Sequence, residues 1–207
     1  MTADARAVTA PTAEEVAAEV PAGRPTGWWG MVMFITTEAT LFAALVASYF
    51  YLRFQSTPDW PLGGIEAPEL SLPLVMSAIL LSSSGPMIFA DRGIRAGHVG
   101  RLRLGLAGTF VLGATFLGLQ GYEYMTKLEE FTPTTNAYGS LFFAITGFHG
   151  MHVLVGLLLI LFVQVRAWLG HFDRERHLHV QTTAMYWHFV DAVWVVIMLS
   201  LYIGPHL

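Results

Sequence analysis

The chain has 207 residues, of which 54 % are hydrophobic and only 13 % are charged, and its net charge is −4 at neutral pH. A soluble domain carries about 25 % charged residues, so this composition indicates an integral membrane protein. The small net charge does not suggest a nucleic-acid partner. Because the chain has no cysteine, it has no disulfides, thiolate nucleophiles, or thiolate-held zinc or iron–sulfur centres.

The first segment, residues 1–27, differs in composition from the rest of the chain. It is rich in Ala, Thr and Pro, it carries several acidic residues, and it lacks the apolar core of a signal peptide. We expect a disordered or loosely ordered tail, in which a short helix over 13–20, capped by Thr12, is compatible with the pattern.

Five apolar stretches follow, and each is long enough to cross a bilayer, which takes about 20 residues. They lie near residues 28–52, 71–90, 103–124, 138–165 and 183–204. We therefore predict an all-α integral membrane protein whose residues 28–207 form one bundle of five transmembrane helices. Small residues favour close helix packing, and glycines recur in the third and fourth spans, at Gly105, Gly108, Gly113, Gly118, Gly147, Gly150 and Gly156.

The basic residues predict the orientation of these helices. Nine of the eleven Lys and Arg residues lie in segments on the same side as the N-terminus, and basic loops stay in the cytoplasm. The N-terminus and residues 91–101 and 169–181 are therefore expected inside, and residues 55–69 and the C-terminus outside. The first outer loop contains Trp60, and we expect this loop on the membrane surface or on a neighbouring subunit.

Glu38 lies in the middle of the first span, flanked by apolar or weakly polar residues. A carboxyl group at this depth costs several kcal/mol unless it is paired, protonated or turned toward a protein interior. Glu38 is therefore a candidate functional residue. Position along the helices suggests His152 or His188 as its partner in a buried cluster.

Other polar residues recur inside the later spans. His149 and His152 are three residues apart, so they share a helix face, but a metal site needs more ligands with supporting partners. We expect no metal site and predict that both histidines pack between helices with hydrogen-bond partners. His188 and Asp191 have the same spacing, which fits either a proton relay or a neutralised structural pair.

Gln120 and Glu123 lie near the outer end of the third span. They are further candidates for a buried polar cluster, although interfacial anchoring is the stronger expectation for Glu123.

The loop between the fourth and fifth spans is rich in ionisable residues. Histidine is the side chain whose ordinary titration range lies near neutral pH, so this loop is a candidate proton antenna on the inner face. The alternative is a solvated loop whose arginines only fix the topology. The candidate residues are His171, Asp173, Glu175, His177 and His179.

Together these segments resemble subunit III of the haem–copper oxidases, the superfamily of cytochrome c oxidases and quinol oxidases. The similar stretches occur in the family's order and cover nearly everything after residue 28. They are residues 37–42, 72–84, 116–124, 147–156 and 187–194. Glu38 matches the membrane glutamate of the family that reacts with carbodiimide.

The resemblance implies a non-catalytic subunit with no cofactor of its own in the plasma membrane of a bacterium. Subunits I and II would carry the haems and copper, and cytochrome c would donate electrons to the complex. This chain would contact subunit I directly, with subunit II and a small subunit IV nearby, and phospholipids could bind to it. It would support proton uptake and protect the enzyme during turnover.

The sequence is also compatible with alternative functions. The chain has five predicted helices, whereas one form of the family has seven, so another subunit could supply the missing pair. Quinol oxidase subunit III and an accessory subunit of nitric oxide reductase are related possibilities. A stand-alone proton channel or transporter belongs to a different class, which the lack of repeats argues against, and a haem-binding cytochrome would need axial ligands.

Overall fold

The computed structural model describes residues 23–56 and 59–206, and these residues form helices and loops without a strand. Five long helices follow one another: α1 (Thr26–Gln55), α2 (Ser71–Arg95), α3 (Val99–Glu130), α4 (Ala137–Trp168) and α5 (Leu178–Ile197). A π-helical segment, Met198–Ile203, and a 3-10 turn, Gly204–His206, continue α5. The helix expected over 13–20 lies outside the described residues.

The prediction of five membrane-spanning helices is confirmed, since all five are long and apolar enough to cross a membrane. The helices run past the apolar stretches at most of their ends. At 1.5 Å per residue, the 32 residues of α3 extend about 48 Å, which exceeds the roughly 30 Å of a hydrocarbon core. Charged residues such as Glu129 and Glu130 therefore continue the helix into the headgroup region.

The central helix of the bundle is α5, which contacts α1, α2 and α4. Helix α3 packs along α2 and also against α4. Helix α1 is the least enclosed, because Phe42 and Tyr49 are its only buried side chains within the described structure. One side of the bundle thus presents an almost bare apolar helix.

Trp187 on α5 is fully buried and fills the gap between α3 and α4. Both helices place a glycine against its ring. A Cβ atom would lie 2.5 Å from the indole at Gly113 and 2.8 Å from it at Gly156, so only a hydrogen atom fits there. The predicted packing role of these two glycines agrees with this geometry. The predicted packing role is wrong for Gly118, because a Cβ atom there would meet no described atom within 4 Å.

The loop between α1 and α2, which the basic residues predict to lie outside, covers one end of its own bundle. The Trp60 ring packs against Tyr49 and Tyr138, with centroid distances of 5.3 and 5.4 Å, and its indole N–H donates to the Tyr49 hydroxyl at 3.2 Å. Asn136 at the start of α4 donates to the carbonyl of Leu62 at 2.7 Å. The expectation that this loop rests on the membrane surface or on another subunit is wrong for Trp60, because aromatic residues of α1 and α4 offer it a closer apolar surface.

We expect Gly113→Ala to destabilise the protein by about 1–3 kcal/mol, because the new methyl group would overpack the Trp187 site. Gly118→Ala on the same helix is the matched control. It should be neutral or slightly stabilising, since alanine is favoured over glycine in a helix interior by about 0.5–1 kcal/mol. The measurement is the fraction of protein that stays monodisperse in mild detergent after heating through a temperature series. Equal melting of the two variants would contradict this account of the Trp187 site.

Candidate functional site

Glu38 on α1 and His152 on α4 form a direct contact across the bundle, with 2.9 Å between Glu38 Oε2 and His152 Nε2. The other ring nitrogen, Nδ1, lies 2.6 Å from the Phe148 carbonyl one turn earlier. A carbonyl oxygen can only accept, so Nδ1 carries a hydrogen and a neutral imidazole has its lone pair on Nε2. The contact therefore holds one proton, either on the Glu38 carboxyl or on Nε2 of a charged imidazolium.

The surroundings of this pair are asymmetric. The His152 side chain is only 6 % exposed, and Phe42 packs against its ring with centroids 5.0 Å apart. The Glu38 side chain is 23 % exposed. It lies beside an apolar groove between α1 and α5 lined by Ala39, Phe42 and Ala43 among others. The carboxyl group is thus accessible from the open side of α1, while its partner is enclosed.

His188, the other suggested partner of Glu38, belongs to a second polar group. Its Nδ1 lies 3.0 Å from the Ser84 hydroxyl of α2, which donates to Asp191 Oδ2. The direct distance between His188 Nδ1 and Asp191 Oδ2 is 4.0 Å, too long for a hydrogen bond. Sequence reasoning missed Ser84, although three consecutive serines inside an apolar span could have suggested a polar contact there.

His149 lies in a different environment from His152. It is fully buried, and its ring packs against Phe116 and Trp194 with centroid distances of 5.8 and 5.1 Å. Neither ring nitrogen has a hydrogen-bond partner among the described residues. The expectation of a partner is therefore wrong for His149, because aromatic side chains surround the ring. No group of three metal-binding side chains occurs in the described part of the chain.

Gln120 and Glu123 lie inside the protein, so the expectation of interfacial anchoring for Glu123 is wrong. Glu123 is only 4 % exposed and accepts a hydrogen bond of 3.0 Å from the Tyr202 hydroxyl. Gln120 donates to the Thr146 carbonyl of α4 at 2.7 Å. The position of Glu123 along α3 indicates its depth in the membrane but not whether a neighbouring helix covers it. The π-helical segment after α5 places Tyr202 over Glu123 and so encloses it.

The loop after α4 brings some of its ionisable residues together. Asp173 accepts the backbone N–H groups of Glu175 and Arg176 at 2.9 and 2.7 Å and pairs with the Arg176 guanidinium. Hydrogen bonds lower the pKa of Asp173 below its ordinary value. The backbone N–H of Arg176 has the largest effect, followed by the Arg176 side chain and the backbone N–H of Glu175. Asp173 thus stays ionised at neutral pH and stabilises the turn.

The remaining members of the predicted antenna differ in position. His171, Glu175 and His179 line a surface pocket of about 520 Å³, together with Arg166 and Arg176. His177 does not line this pocket, and its Nδ1 is buried with no partner in the described structure. The pocket therefore collects two of the three loop histidines beside one carboxyl group.

Comparison with known proteins identifies a family for this chain. The sequence profile of the cytochrome c oxidase subunit III family matches residues 20–205. Cytochrome c oxidase subunit 3 of Synechocystis sp. is 40 % identical over 176 residues, which is 84 % of this chain and 74 % of the relative. The protein of the same name from Thermostichus vulcanus is 38 % identical over 175 residues, covering 84 % and 85 % of the two chains.

More distant organisms have similar proteins. Cytochrome c oxidase subunit 3 of Arabidopsis thaliana is 36 % identical over 179 residues, which is 84 % of this chain and 67 % of the plant protein. The profile match includes all five long helices, whose length and apolar composition are those of a multi-pass membrane protein. The chain therefore belongs to the cytochrome c oxidase subunit III family, whose members are components of haem–copper oxidase complexes.

Proposed function

We propose that this chain is the non-catalytic subunit III of a proton-pumping cytochrome c oxidase in a bacterial plasma membrane. The observation that carries the proposal is the family match over residues 20–205, which includes all five long helices. The described residues offer no cluster of three metal-binding side chains. From the resemblance to the family, we assign the haems and copper of the complex to subunits I and II.

The bare side of α1 supports a role inside a larger assembly. In the described structure only Phe42 and Tyr49 of this helix are buried, and Met33, Phe34 and Tyr51 are 63, 45 and 62 % exposed. A contiguous apolar surface of this kind needs lipid or another protein to cover it. We assign direct contact with subunit I to this chain, with subunit II and a small subunit IV nearby.

The proposed role in the complex is to support proton uptake and to slow inactivation during turnover. The pocket formed by His171, Glu175 and His179 can exchange protons with water, because histidine is suited to proton exchange near neutral pH. Asp173 contributes less to this exchange, since its lowered pKa keeps it ionised. With the orientation predicted from the basic loops, the pocket opens on the side from which the oxidase takes protons.

Isolation of the native complex tests the function. A tagged copy of this chain, expressed in its own host and extracted in mild detergent, should copurify with subunits that carry haem and copper. The purified complex should oxidise reduced cytochrome c with consumption of oxygen. Mass spectrometry identifies the subunits, and the visible spectrum identifies the haems. An unrelated multi-pass protein with the same tag is the control for nonspecific retention.

The outcomes separate the competing functions. Oxidation of quinol but not of cytochrome c would assign the chain to a quinol oxidase, and reduction of nitric oxide would assign it to a reductase complex. Purification without any haem protein, combined with proton flux in reconstituted vesicles, would replace the proposal with a channel.

The orientation gives a second prediction. The chain has no native cysteine, so a single introduced cysteine is the only thiol in this chain, and the labelled chain is isolated before it is analysed. We expect an impermeant maleimide to label Ser56→Cys on intact cells and to label Arg174→Cys only after the membrane is opened. Both positions flank helix ends outside the apolar spans, so neither substitution should disturb folding. The reverse labelling pattern would contradict the predicted topology and would place the loop pocket on the side opposite to proton uptake.

Glu38 gives a third prediction. A membrane-soluble carbodiimide should modify Glu38 in preference to Glu123, because the Glu38 side chain is 23 % exposed on the open side of α1 whereas Glu123 is 4 % exposed. We expect Glu38→Gln to abolish the main modification, and Glu123→Gln to leave it unchanged as the matched control. Peptide mass spectrometry locates the adduct. Undiminished modification of the Glu38→Gln variant would show that the reactive carboxyl group lies elsewhere.

A further inference from the structure

A pocket of about 320 Å³ with both polar and apolar lining residues lies between α1, α2 and α5, at the end of α2 that carries Arg92. We call it the Arg92 pocket. Its wall includes Trp28 of α1, Asp91 of α2 and His188 of α5. The volume has room for several water molecules, and the side chain of His188 is 40 % exposed. The His188 ring can therefore exchange protons with water at this position.

Behind His188, a line of hydrogen bonds leads into the protein. Ser84 lies 3.0 Å from His188 Nδ1 and is also hydrogen-bonded to Asp191 Oδ2. Asp191 is 5 % exposed, and its second oxygen, Oδ1, has no partner among the described residues. Within the described structure the line therefore begins at the pocket wall and ends at an enclosed carboxyl group.

The bridging Ser84 hydroxyl allows two arrangements of the hydrogens along this line. A hydroxyl has one hydrogen to donate and two lone pairs that accept. In the first arrangement, His188 Nδ1–H donates to Ser84 and Ser84 donates to the Asp191 carboxylate. In the second, protonated Asp191 donates to Ser84 and Ser84 donates to the Nδ1 lone pair.

Conversion of the first arrangement into the second moves one proton without moving a heavy atom. The Nδ1–H bond of His188 and the O–H bond of Ser84 break, and new O–H bonds form on Ser84 and on Asp191. When pocket water has protonated His188 at Nε2 beforehand, the transfer leaves a neutral imidazole and a neutral carboxyl group. Return of the proton follows the same bonds in reverse.

We propose that Asp191 is a proton-holding site that is loaded from the Arg92 pocket through His188 and Ser84. The site is separate from the Glu38–His152 pair and does not rest on the function proposed above. The charged groups that face His188 across the pocket all belong to α2: Asp91, Arg92 and Arg95. Arg95 Nε lies 2.8 Å from Asp91 Oδ2, so that pair is largely neutralised. Trp28 is the contribution of α1 to the pocket wall, and among the described lining residues α5 adds no second ionisable group.

The test is infrared spectroscopy of the intact complex that contains the full chain. Acidification should produce a protonated-carboxyl band that is absent from the Asp191→Asn variant. Transfer into heavy water should shift this band rapidly in the wild-type protein. The rate of the shift reports how fast the Asp191 proton exchanges with water in the pocket.

A matched pair of substitutions at Ser84 isolates the hydroxyl group. Threonine keeps the hydroxyl, and valine has nearly the same shape without it. We expect Ser84→Thr to exchange as fast as wild type and Ser84→Val to exchange more slowly by at least about tenfold, because a positioned proton carrier contributes about 10²–10⁴-fold to proton transfer. His188→Phe, at a half-exposed position, should slow the exchange similarly, and it tests the relay if Ser84→Val does not fold.

Two results would overturn the proposal. One is the absence of any carboxyl band that depends on Asp191 over the pH range in which the complex is folded. The other is exchange at the wild-type rate in every variant of the pair Ser84→Val and His188→Phe that folds, which would leave Asp191 and Ser84 as a static structural contact.

Discussion

Trp187 connects the three most enclosed helices because α3 and α4 each place a glycine against its ring. Its indole N–H also donates to the Ser83 hydroxyl of α2 at 2.8 Å, so one side chain of α5 contacts α2, α3 and α4. This contact fixes the rotation of α5 about its axis. The same rotation turns Asp191 toward α2 and Trp194 toward α3 and α4. These contacts of α5 therefore depend on the space occupied by the Trp187 ring, which is free only because positions 113 and 156 are glycines.

Three polar pairs in the interior join helices that are distant in sequence. Glu38 with His152 joins α1 to α4, Ser84 with Asp191 joins α2 to α5, and Glu123 with Tyr202 joins α3 to the segment after α5. Loss of one partner leaves a buried polar group unsatisfied, which costs about 1–3 kcal/mol and more for a charged group. These pairs thus specify which helices are neighbours, whereas the apolar surfaces alone would accept several arrangements.

Five helices could be predicted from the sequence because long apolar stretches are a direct consequence of bilayer thickness. The importance of Glu38 was also predictable, since a carboxyl group in an apolar span needs an explanation. The partners were harder to predict. Spacing placed His149 and His152 on one face, yet His152 contacts Glu38 while His149 lies among aromatic rings. The burial of Glu123 depends on a π-helical segment that places Tyr202 over it, and no periodic pattern signals such a segment.

The Glu38–His152 pair also constrains how the chain is made. The two residues are 114 positions apart, and α1 is synthesised long before α4. At usual rates of synthesis this separation corresponds to roughly ten seconds, during which the first span has no partner for its carboxyl group. A carboxyl group without a partner is costly in hydrocarbon. The nascent helix therefore has to remain beside the insertion machinery or another polar surface until His152 reaches the membrane.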